Sequence, residues 1–242
     1  MKTLVYVGAN TGFSLWELFG EFDSVYVFEP DPEMYDQLKR RYRNFEWVTL
    51  VNAACSDKKG KSNFYVTKNR VASSLGNPSD KFVEGYKRHD SGSTVIKEIE
   101  VDTINLGEYL SEQGVEFIDL YFSDCQGSDL NVLKTMKAFI DEKKIGEMYI
   151  ETHGDGTQIY MGLDNQLSGF KKLLDENYTF IHATMGTHGV GNASPARVKI
   201  DGAVVSEETV SDVSGWDVPN PEWDSYWRLD GYPEGIGSQL RS

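Results

Sequence analysis

The chain contains few cysteines, no long apolar stretch and comparatively little positive charge. Two of its 242 residues are cysteines. Because Cys55 and Cys125 are not spaced as a Cys-x-x-Cys pair, we expect free thiols in a reducing compartment. Nowhere do about 18 apolar residues follow one another, the length that a membrane-spanning helix needs. The apolar run at residues 4–7 is too short for the core of a secretion signal. We therefore expect a soluble, cytoplasmic protein.

Acidic residues outnumber basic ones by a wide margin. The chain carries 38 Asp and Glu residues against 24 Lys and Arg, which gives a formal net charge of −14. Nucleic-acid binding depends on cationic side chains that neutralise phosphates, so neither a nucleic acid nor an anionic membrane is an expected partner. This charge favours a small molecule or a glycan as the substrate, and it leaves homo-oligomerisation open.

Strand and helix patterns alternate along most of the chain. The alternation predicts an α/β fold with a mostly parallel, doubly wound sheet that helices cover on both faces. We expect one domain over residues 1–242, with a core up to residue 186. The part from residue 187 should contain an antiparallel hairpin around Asp201-Gly202. Strand patterns lie at residues 3–8, 25–28, 47–51, 62–66, 96–101, 117–122, 147–150 and 179–183, and helix patterns at residues 13–19, 32–42, 105–113, 130–140 and 163–174.

Periodicity is lost in two regions. Ser, Gly, Asn and charged residues accumulate between residues 71 and 94, and a loop of this length inside a compact domain is usually functional or mobile. We expect this loop to be a lid over the substrate. The tail after residue 215 is rich in aromatic side chains, which could stack on a sugar ring but more often fasten a terminus to the core or form a dimer contact. They are Trp216, Trp223, Tyr226, Trp227 and Tyr232.

The first strand runs into a turn that is bounded by two glycines. The turn reads Gly8-Ala9-Asn10-Thr11-Gly12, and the second strand ends about twenty residues later at Glu29-Pro30. In Rossmann-like folds such glycines let the backbone approach a ligand, and the later carboxylate holds the ribose hydroxyls. A nucleoside-bearing cofactor is therefore the expected ligand. The alternatives are a tight strand-to-helix turn without a ligand and an acid that caps the following helix.

The glycine turn lacks the third glycine of the dinucleotide fingerprint. A nicotinamide cofactor places its pyrophosphate over that loop, so the shorter loop favours a cofactor without phosphates, such as S-adenosylmethionine. A nicotinamide-dependent oxidoreductase is the second hypothesis. A catalytically silent glycan-binding module is the third.

Five sequence blocks follow one another between residues 4 and 152. They are residues 7–12, 27–32, 51–57 with Gly60, 72–75, and 119–127 with Asp129-Leu130 and Val132-Leu133. In this order they resemble the FkbM-type family of S-adenosylmethionine-dependent O-methyltransferases, and the ordered set is more specific than any single motif. The resemblance implies a Rossmann-like class I methyltransferase fold and an enzyme that uses S-adenosylmethionine. It does not extend beyond Gly186.

The resemblance also implies roles for individual residues. Gly8 and Gly12 would border the methionine portion of the cofactor, with Asn10 forming a hydrogen bond near it. Glu29 would hold the ribose, and Asp124 would face the reacting centre. The complete expected cofactor set is Gly8, Ala9, Asn10, Gly12, Glu29, Pro30, Ala53, Ala54 and Asp124, in which the two alanines line the adenine.

Three positions depart from the family pattern. Tyr6 stands where the family usually has an acid before the glycine turn. In the block that resembles Lys-Ile-Asp-Val-Glu-Gly, Phe122 replaces the lysine and Gln126 replaces the glutamate. The loss of both members of a potential Lys–Glu pair could be compensated, because the two losses occur together.

Methyl transfer to a hydroxyl requires alignment of the reactants and removal of a proton. The best candidates are Glu151 and His153 at the end of the strand that starts at residue 147, beside Asp124 on the neighbouring strand. His153 is the expected general base, and its alternative is a structural histidine that caps a loop. A second alternative is a divalent cation held by these three residues. His182 and His188 either line the acceptor pocket or are ordinary loop residues.

The patterns together predict an S-adenosylmethionine-dependent O-methyltransferase. Its acceptor would be a hydroxyl of a small molecule or a glycan, such as a sugar or a secondary metabolite. The catalytic residues would be His153, Asp124 and Glu151, and a metal is not favoured.

Overall fold

The computed structural model describes residues 1–12, 15–18, 20–87, 91–156, 158–185, 198–199 and 222–235. The strands within these ranges are β1 (Thr3–Val7), β2 (Ser24–Phe28), β3 (Val48–Val51), β4 (Ala54–Cys55), β5 (Gly60–Thr67), β6 (Val95–Ile104), β7 (Ile118–Ser123), β8 (Ile145–His153), β9 (Tyr178–Met185), β10 (Val198–Lys199) and β11 (Glu222–Leu229). The helices are α1 (Leu15–Leu18), α2 (Pro32–Tyr42), α3 (Asp80–Lys87), α4 (Leu106–Glu112), α5 (Asp129–Thr135), α6 (Lys137–Asp141) and α7 (Leu167–Leu174), with a 3-10 turn at Ser91–Ser93.

A mostly parallel sheet forms the centre of the molecule. Its strand order is β10-β9-β11-β8-β7-β1-β2-β3. The strands β3, β2, β1, β7 and β8 are joined by parallel pairing, whereas β11 pairs antiparallel with both β8 and β9. The predicted α/β class and the mostly parallel sheet are confirmed. The carboxyl ends of β1, β2, β7 and β8 therefore meet at one edge.

Alternate residues of β1 enter two separate hydrophobic clusters. Val5 and Val7 pack with residues of α4, α5, α6 and α7, whereas Leu4 and Tyr6 pack with residues of α1 and α2. All five residues of the strand are buried. A strand buried on both faces has a continuous apolar sequence rather than an alternating one, which explains the unbroken apolar run at the start of the chain.

The helix α2 begins as its sequence predicts. The Asp31 carboxylate accepts a hydrogen bond from the backbone N–H of Glu33 at 2.9 Å, and Pro32 occupies the first turn. An acidic N-cap accepts a hydrogen bond from a backbone N–H that has no partner within the helix, and the proline that follows fixes a backbone angle suited to the first turn. Met34, Leu38 and Tyr42 form its buried face, as their helical spacing indicates.

A second sheet, with the order β4-β6-β5, lies beside the central one. β5 and β6 pair antiparallel along most of their length. Phe64 and Val66 of β5 pack with Val101 of β6 and with Ala54. This small sheet brings the segment after β5 next to the end of β2, where it borders the site described below.

The elements differ from the sequence predictions at several places. The helix pattern at 130–140 is two helices that meet at Met136, whose N–H bonds to the carbonyl of Leu133 in a tight turn. The region 71–94 contains α3 and the 3-10 turn rather than loop alone. The antiparallel hairpin predicted around Asp201-Gly202 lies outside the described residues, except that Val198 and Lys199 pair antiparallel with β9.

The tail contributes β11, a strand that its sequence does not predict. It lies between β8 and β9, with Tyr226 and Trp227 buried. Tyr232 stacks on Phe117 with ring centroids 5.8 Å apart. These contacts agree with aromatics that fasten the tail to the core. Trp216 and His188 lie outside the described residues.

Candidate functional site

A cavity of about 290 Å³ opens where three parallel strands end. Gly8 follows β1, Glu29 follows β2 and Asp124 follows β7, and all three contribute to its wall. Open α/β sheets bind ligands at this edge, and the volume is close to that of small-molecule sites. The lining residues are Tyr6, Val7, Gly8, Ala9, Asn10, Thr11, Phe28, Glu29, Pro30, Asp31, Ala53, Ala54, Cys55, Phe64, Arg70, Val71, Ser73, Leu75, Asp124, Cys125, Gln126 and Ser128.

Gly8 allows the chain to turn tightly against the neighbouring strand. Its φ of 78° lies in the left-handed region, and a Cβ at this position would collide with the carbonyl oxygen of Asp124. The N–H groups of Gly8 and Ala9 both donate to the carbonyl of Phe28, at 3.1 and 3.2 Å. Only glycine fits such a position. The turn therefore brings backbone atoms, rather than side chains, to the cavity.

Gly12 has a packing role in the structure. It is not among the residues that line the cavity. Its φ is 70°, and a Cβ would lie 2.6 Å from Leu38 and 2.8 Å from the ring of Tyr42. The Tyr42 hydroxyl donates to the Gly12 carbonyl at 2.7 Å. The second glycine of the turn thus lets α2 approach, and its predicted cofactor contact stays a prediction.

The Glu29 carboxylate is held at the cavity wall by backbone donors. It is 5% exposed, and its two oxygens accept hydrogen bonds from the N–H groups of Asn10 and Asp31, each at 2.7 Å. Burial raises the pKa of Glu29 to about 7, although these two hydrogen bonds act in the opposite direction. Because Asp31 is the residue that caps α2, Glu29 is not the helix cap that its sequence position also allowed.

The other end of the cavity is apolar. Ala53, Ala54 and Phe64 are buried, and they line the wall together with Cys55 and Leu75. Ala53 and Ala54 follow β3 as the sequence indicates. Small side chains at this point leave room for a flat ring between the strand ends and the small sheet.

Arg70 is a site residue that the sequence predictions missed. Its guanidinium forms ion pairs with Asp31 and, at 2.6 Å, with Glu33. Its backbone carbonyl accepts a hydrogen bond from the Asn10 amide at 3.3 Å. Residues 70–75, which we call the strap, thereby attach to both the glycine turn and α2. The family block at 72–75 was the available signal, since Ser73 and Leu75 line the cavity.

Asp124 and Glu151, two of the three predicted catalytic residues, meet at Gln126. The Gln126 amide nitrogen donates to Asp124 at 2.6 Å and to Glu151 at 3.0 Å. Asp124 and Gln126 line the cavity, whereas Glu151 lies behind it and is 4% exposed. A nitrogen that donates to both carboxylates occupies the position that a shared cation would need. Within the described residues, no group of three or more His, Cys, Asp or Glu side chains could hold a metal ion.

His153 lies apart from this pair. It is the last residue of β8, it is 3% exposed, and it is not among the cavity-lining residues. Its ring packs against Tyr160 with centroids 6.2 Å apart, and its Nε2 has no hydrogen-bond partner among the described residues. Burial lowers the pKa of His153 to about 4. The imidazole is therefore neutral at physiological pH but does not reach the cavity, and its role as the base stays a prediction.

Two of the three departures from the family pattern are in contact. Tyr6 and Phe122 are register partners on β1 and β7, and their rings stack at 4.4 Å. Phe122 also stacks on Tyr149 at 5.0 Å. Gln126 instead bonds to Asp124, Glu151 and Tyr160. Position 122 thus packs against position 6 across adjacent strands, and compensation between Phe122 and Gln126 stays a prediction.

The residues at this cavity fit an S-adenosyl cofactor. A buried carboxylate suits two ribose hydroxyls, the exposed backbone of the glycine turn suits a polar amino-acid group, and the apolar end suits a purine. Of the expected cofactor set, all except Gly12 line the cavity. Gln126, Arg70 and Tyr6 are among the lining residues that were not predicted as site residues. His182 belongs to β9, and its side chain lies outside the described part of the structure.

Comparisons with known proteins identify a methyltransferase family. Residues 7–201 match the family described as the methyltransferase FkbM domain, so the predicted end of the resemblance at Gly186 is wrong. A curated relative, the 2-O-methyltransferase NoeI of Sinorhizobium fredii, is 25% identical over 146 residues, which span 57% of this chain and only 56% of that enzyme.

The chain is also similar to solved methyltransferase structures, at low sequence identity. An rRNA methylase from Streptococcus thermophilus is 11% identical, with 94% of this chain and 87% of that chain covered and a TM-score of 0.45. The N-methyltransferase NodS from Bradyrhizobium japonicum, in complex with S-adenosyl-L-homocysteine, is 11% identical, with 96% and 79% covered and a TM-score of 0.42.

Proposed function

The chain belongs to the FkbM methyltransferase family, and on that basis we propose that it is an S-adenosylmethionine-dependent O-methyltransferase. Its acceptor would be a hydroxyl of a small molecule or a glycan. The observation that carries the proposal is the Glu29 carboxylate, which stands beside the glycine turn in the wall of the cavity.

The residues of the expected cofactor set would position the cofactor for methyl transfer. Glu29 would accept hydrogen bonds from the ribose hydroxyls, and the fixed backbone at Gly8 and Ala9 would border the methionine portion. Ala53 and Ala54 would contact the adenine. When bound, S-adenosylmethionine supplies a methyl group on a positively charged sulfur, which a nucleophile displaces in line. The rigid turn contributes to that alignment because its atoms are held by hydrogen bonds to β2.

Asp124 is the predicted catalytic residue that lies in the cavity wall, and we place it at the reacting end. A carboxylate there would orient the acceptor hydroxyl and receive its proton as the new C–O bond forms. Glu151 supports it from behind through Gln126. His153 would act as the base only if the acceptor hydroxyl approached the end of β8 from outside this cavity.

The acceptor class is proposed from charge and from the relative. A formal charge of −14 opposes binding to a phosphate backbone, which disfavours RNA. The relative whose sequence aligns here is named as a 2-O-methyltransferase, and a hydroxyl acceptor is consistent with that name.

Calorimetric titration tests the cofactor assignment. We expect S-adenosylmethionine and S-adenosylhomocysteine to bind, and NAD to bind weakly or not at all because the turn lacks the third glycine. Glu29→Ala should abolish measurable binding, whereas Glu112→Ala at the exposed end of α4 should not. Binding of NAD in preference to both sulfur compounds would support an oxidoreductase instead.

The acceptor can be sought with S-adenosylmethionine that carries a labelled methyl group. The acceptors tested are mono- and oligosaccharides and hydroxylated small molecules, and ribosomal RNA is the negative control. Transfer to a saccharide hydroxyl supports the proposal, and transfer to RNA alone would overturn its acceptor class.

A further inference from the structure

The Gln126 side chain connects the cavity to the buried interior. Its amide nitrogen has two hydrogens, and it donates to Asp124 at 2.6 Å and to Glu151 at 3.0 Å. Both donors are therefore used on carboxylates. Asp124 lies in the cavity wall and Glu151 is buried behind it, so one neutral amide joins an acid that can meet a substrate to an acid that is fixed in β8.

The opposite side of the same amide is also occupied. The Gln126 Oε1 accepts a hydrogen bond from the hydroxyl of Tyr160, which is 1% exposed. Tyr160 can come this close because position 127 is glycine, where a Cβ would lie 2.6 Å from its ring. A flipped amide would direct its oxygen at two carboxylates and its nitrogen at a hydroxyl. These partners therefore fix the orientation of the amide.

The backbone of Gln126 is held in an unfavourable conformation. Its φ is 54°, in the left-handed region that residues with a Cβ rarely adopt. Its carbonyl accepts a hydrogen bond from the Ser74 hydroxyl at 2.6 Å, and the next N–H, that of Gly127, donates to Glu151 at 3.2 Å. Strained backbone persists where surrounding contacts over-determine it, and it concentrates at functional sites.

We propose that Gln126 is a positioning residue that fixes the Asp124 carboxylate at the reacting end of the cavity by cross-linking it to Glu151. The amide does with two hydrogen bonds what a bound cation would otherwise do between two carboxylates. The proposal rests on the proposed function, because it takes the Asp124 end as the place where the methyl sulfonium lies.

The first test uses the charge that distinguishes the two sulfur compounds. S-adenosylmethionine carries a positive sulfonium and S-adenosylhomocysteine does not, so the ratio of their affinities reports a carboxylate held near the sulfur. Gln126→Asn keeps the amide and tolerates the left-handed backbone, but it is one methylene too short to reach both acids. We expect this variant to lower the relative affinity for S-adenosylmethionine by about fivefold.

A double-mutant cycle separates positioning from a general structural effect. In an Asp124→Asn background, Gln126→Asn should change the ratio by less than about twofold, because Gln126 acts through Asp124. An equal effect in both backgrounds, or an unchanged ratio in the single variant, would overturn the proposal. Gln126→Gly, which adopts a φ of 54° without strain, replaces Gln126→Asn if that protein does not fold.

The second test does not need the cofactor. Gln126→Glu places a third carboxylate between the other two, so this variant should bind Mn²⁺ at roughly 1 mM or tighter, with an altered electron paramagnetic resonance spectrum. Gln113→Glu, an exposed substitution of the same kind at the end of α4, is the control. Equal Mn²⁺ binding by both variants would contradict the cross-link. Failure of the wild type to bind either sulfur compound would instead count against the proposed function.

Discussion

Glu29 is the residue on which the cofactor assignment depends most. Each of its oxygens accepts one backbone N–H, from Asn10 or from Asp31, and each retains a second acceptor direction for a ribose hydroxyl. A glutamine at this position would turn its NH₂ group towards a backbone N–H. The substitution therefore removes a hydrogen bond as well as the charge, and both consequences can be measured.

The affinity for S-adenosylhomocysteine should increase with pH. Since burial raises the pKa of Glu29 to about 7, the carboxylate that receives the ribose hydroxyls is mostly protonated at pH 6 and ionised at pH 8. We expect about tenfold tighter binding at pH 8 than at pH 6. Calorimetry at both values should show this dependence in the wild type and in the control variant Glu112→Gln. In Glu29→Gln the dependence should be absent, and a persistent dependence would assign it to another group.

The same pKa sets a pH window for stability in the absence of ligand. The folded-state pKa of Glu29 is raised from 4.5 to about 7, so between these values the folded protein holds a proton that the unfolded chain has released. The contribution of Glu29 to stability is thus complete below about pH 4.5 and declines as the pH rises to about 7. Bound ligand should offset this decline.

His153 is expected to contribute to stability through its volume. It is almost fully buried against Tyr160, and its Nε2 has no hydrogen-bond partner within the described part of the chain. His153→Ala should lower the free energy of unfolding in urea by about 2 kcal/mol, and His153→Phe by less because it refills the space. Both should bind S-adenosylhomocysteine normally. A stable His153→Phe enzyme that has lost methyl transfer to an identified acceptor would support the base role.

At the scale of elements, the strap of residues 70–75 is joined to α2 by ion pairs. The Asp31 side chain is 2% exposed and that of Arg70 is 19% exposed, so loss of the guanidinium would leave a buried carboxylate without its cation. Arg70→Met should therefore destabilise the protein by about 2 kcal/mol and weaken cofactor binding.

Lys97→Met is the matched control for the strap. Lys97 pairs with Glu33 at the surface, with side chains 38% and 54% exposed, and such pairs contribute little. In urea, Arg70→Met should have a clearly lower free energy of unfolding than Lys97→Met. Equal losses of stability would show that the strap is not held through Asp31.

The strand β11 is the element that completes the central sheet. Trp227 is fully buried and packs edge-on against Phe180, with ring centroids 4.7 Å apart. Trp227→Ala should lower the free energy of unfolding by about 4 kcal/mol. Arg228→Ala, on the same strand but only partly buried, should have a small effect. Thermal unfolding of both variants measures the difference, and similar midpoints would argue against a structural role for β11.

At the scale of the whole molecule, the sequence predicts the parallel half of the sheet well. Apolar runs mark β1, β2 and β7 because most of their residues are buried, and the Asp31-Pro32 cap marks α2. The pair formed by the glycine turn and Glu29 is equally visible, since its chemistry requires a fixed order and spacing. These features depend on residues that are close together in the sequence, so a sequence pattern can reveal them.

Features that depend on distant pairing could not be predicted. Ser225, Tyr226 and Trp227 are all buried, so β11 shows no alternation. Its pairing with β8 extends that strand through His153, beyond the predicted end at residue 150. The bond between Gln126 and Tyr160 joins residues 34 positions apart. Such contacts arise only once the sheet has assembled.

Among the described residues, no helix is long and apolar enough to cross a membrane. The acidic charge is distributed over the whole chain rather than concentrated in one segment. Neither property identifies the acceptor, which depends on the residues that line the cavity.

A crystal structure with S-adenosylhomocysteine would show directly where the cofactor binds. We expect both ribose hydroxyls within hydrogen-bond distance of Glu29, the adenine against Ala53 and Ala54, and the sulfur at the Asp124 end of the cavity. Density for the nucleoside elsewhere in the molecule, or a ribose without contact to Glu29, would contradict this expectation.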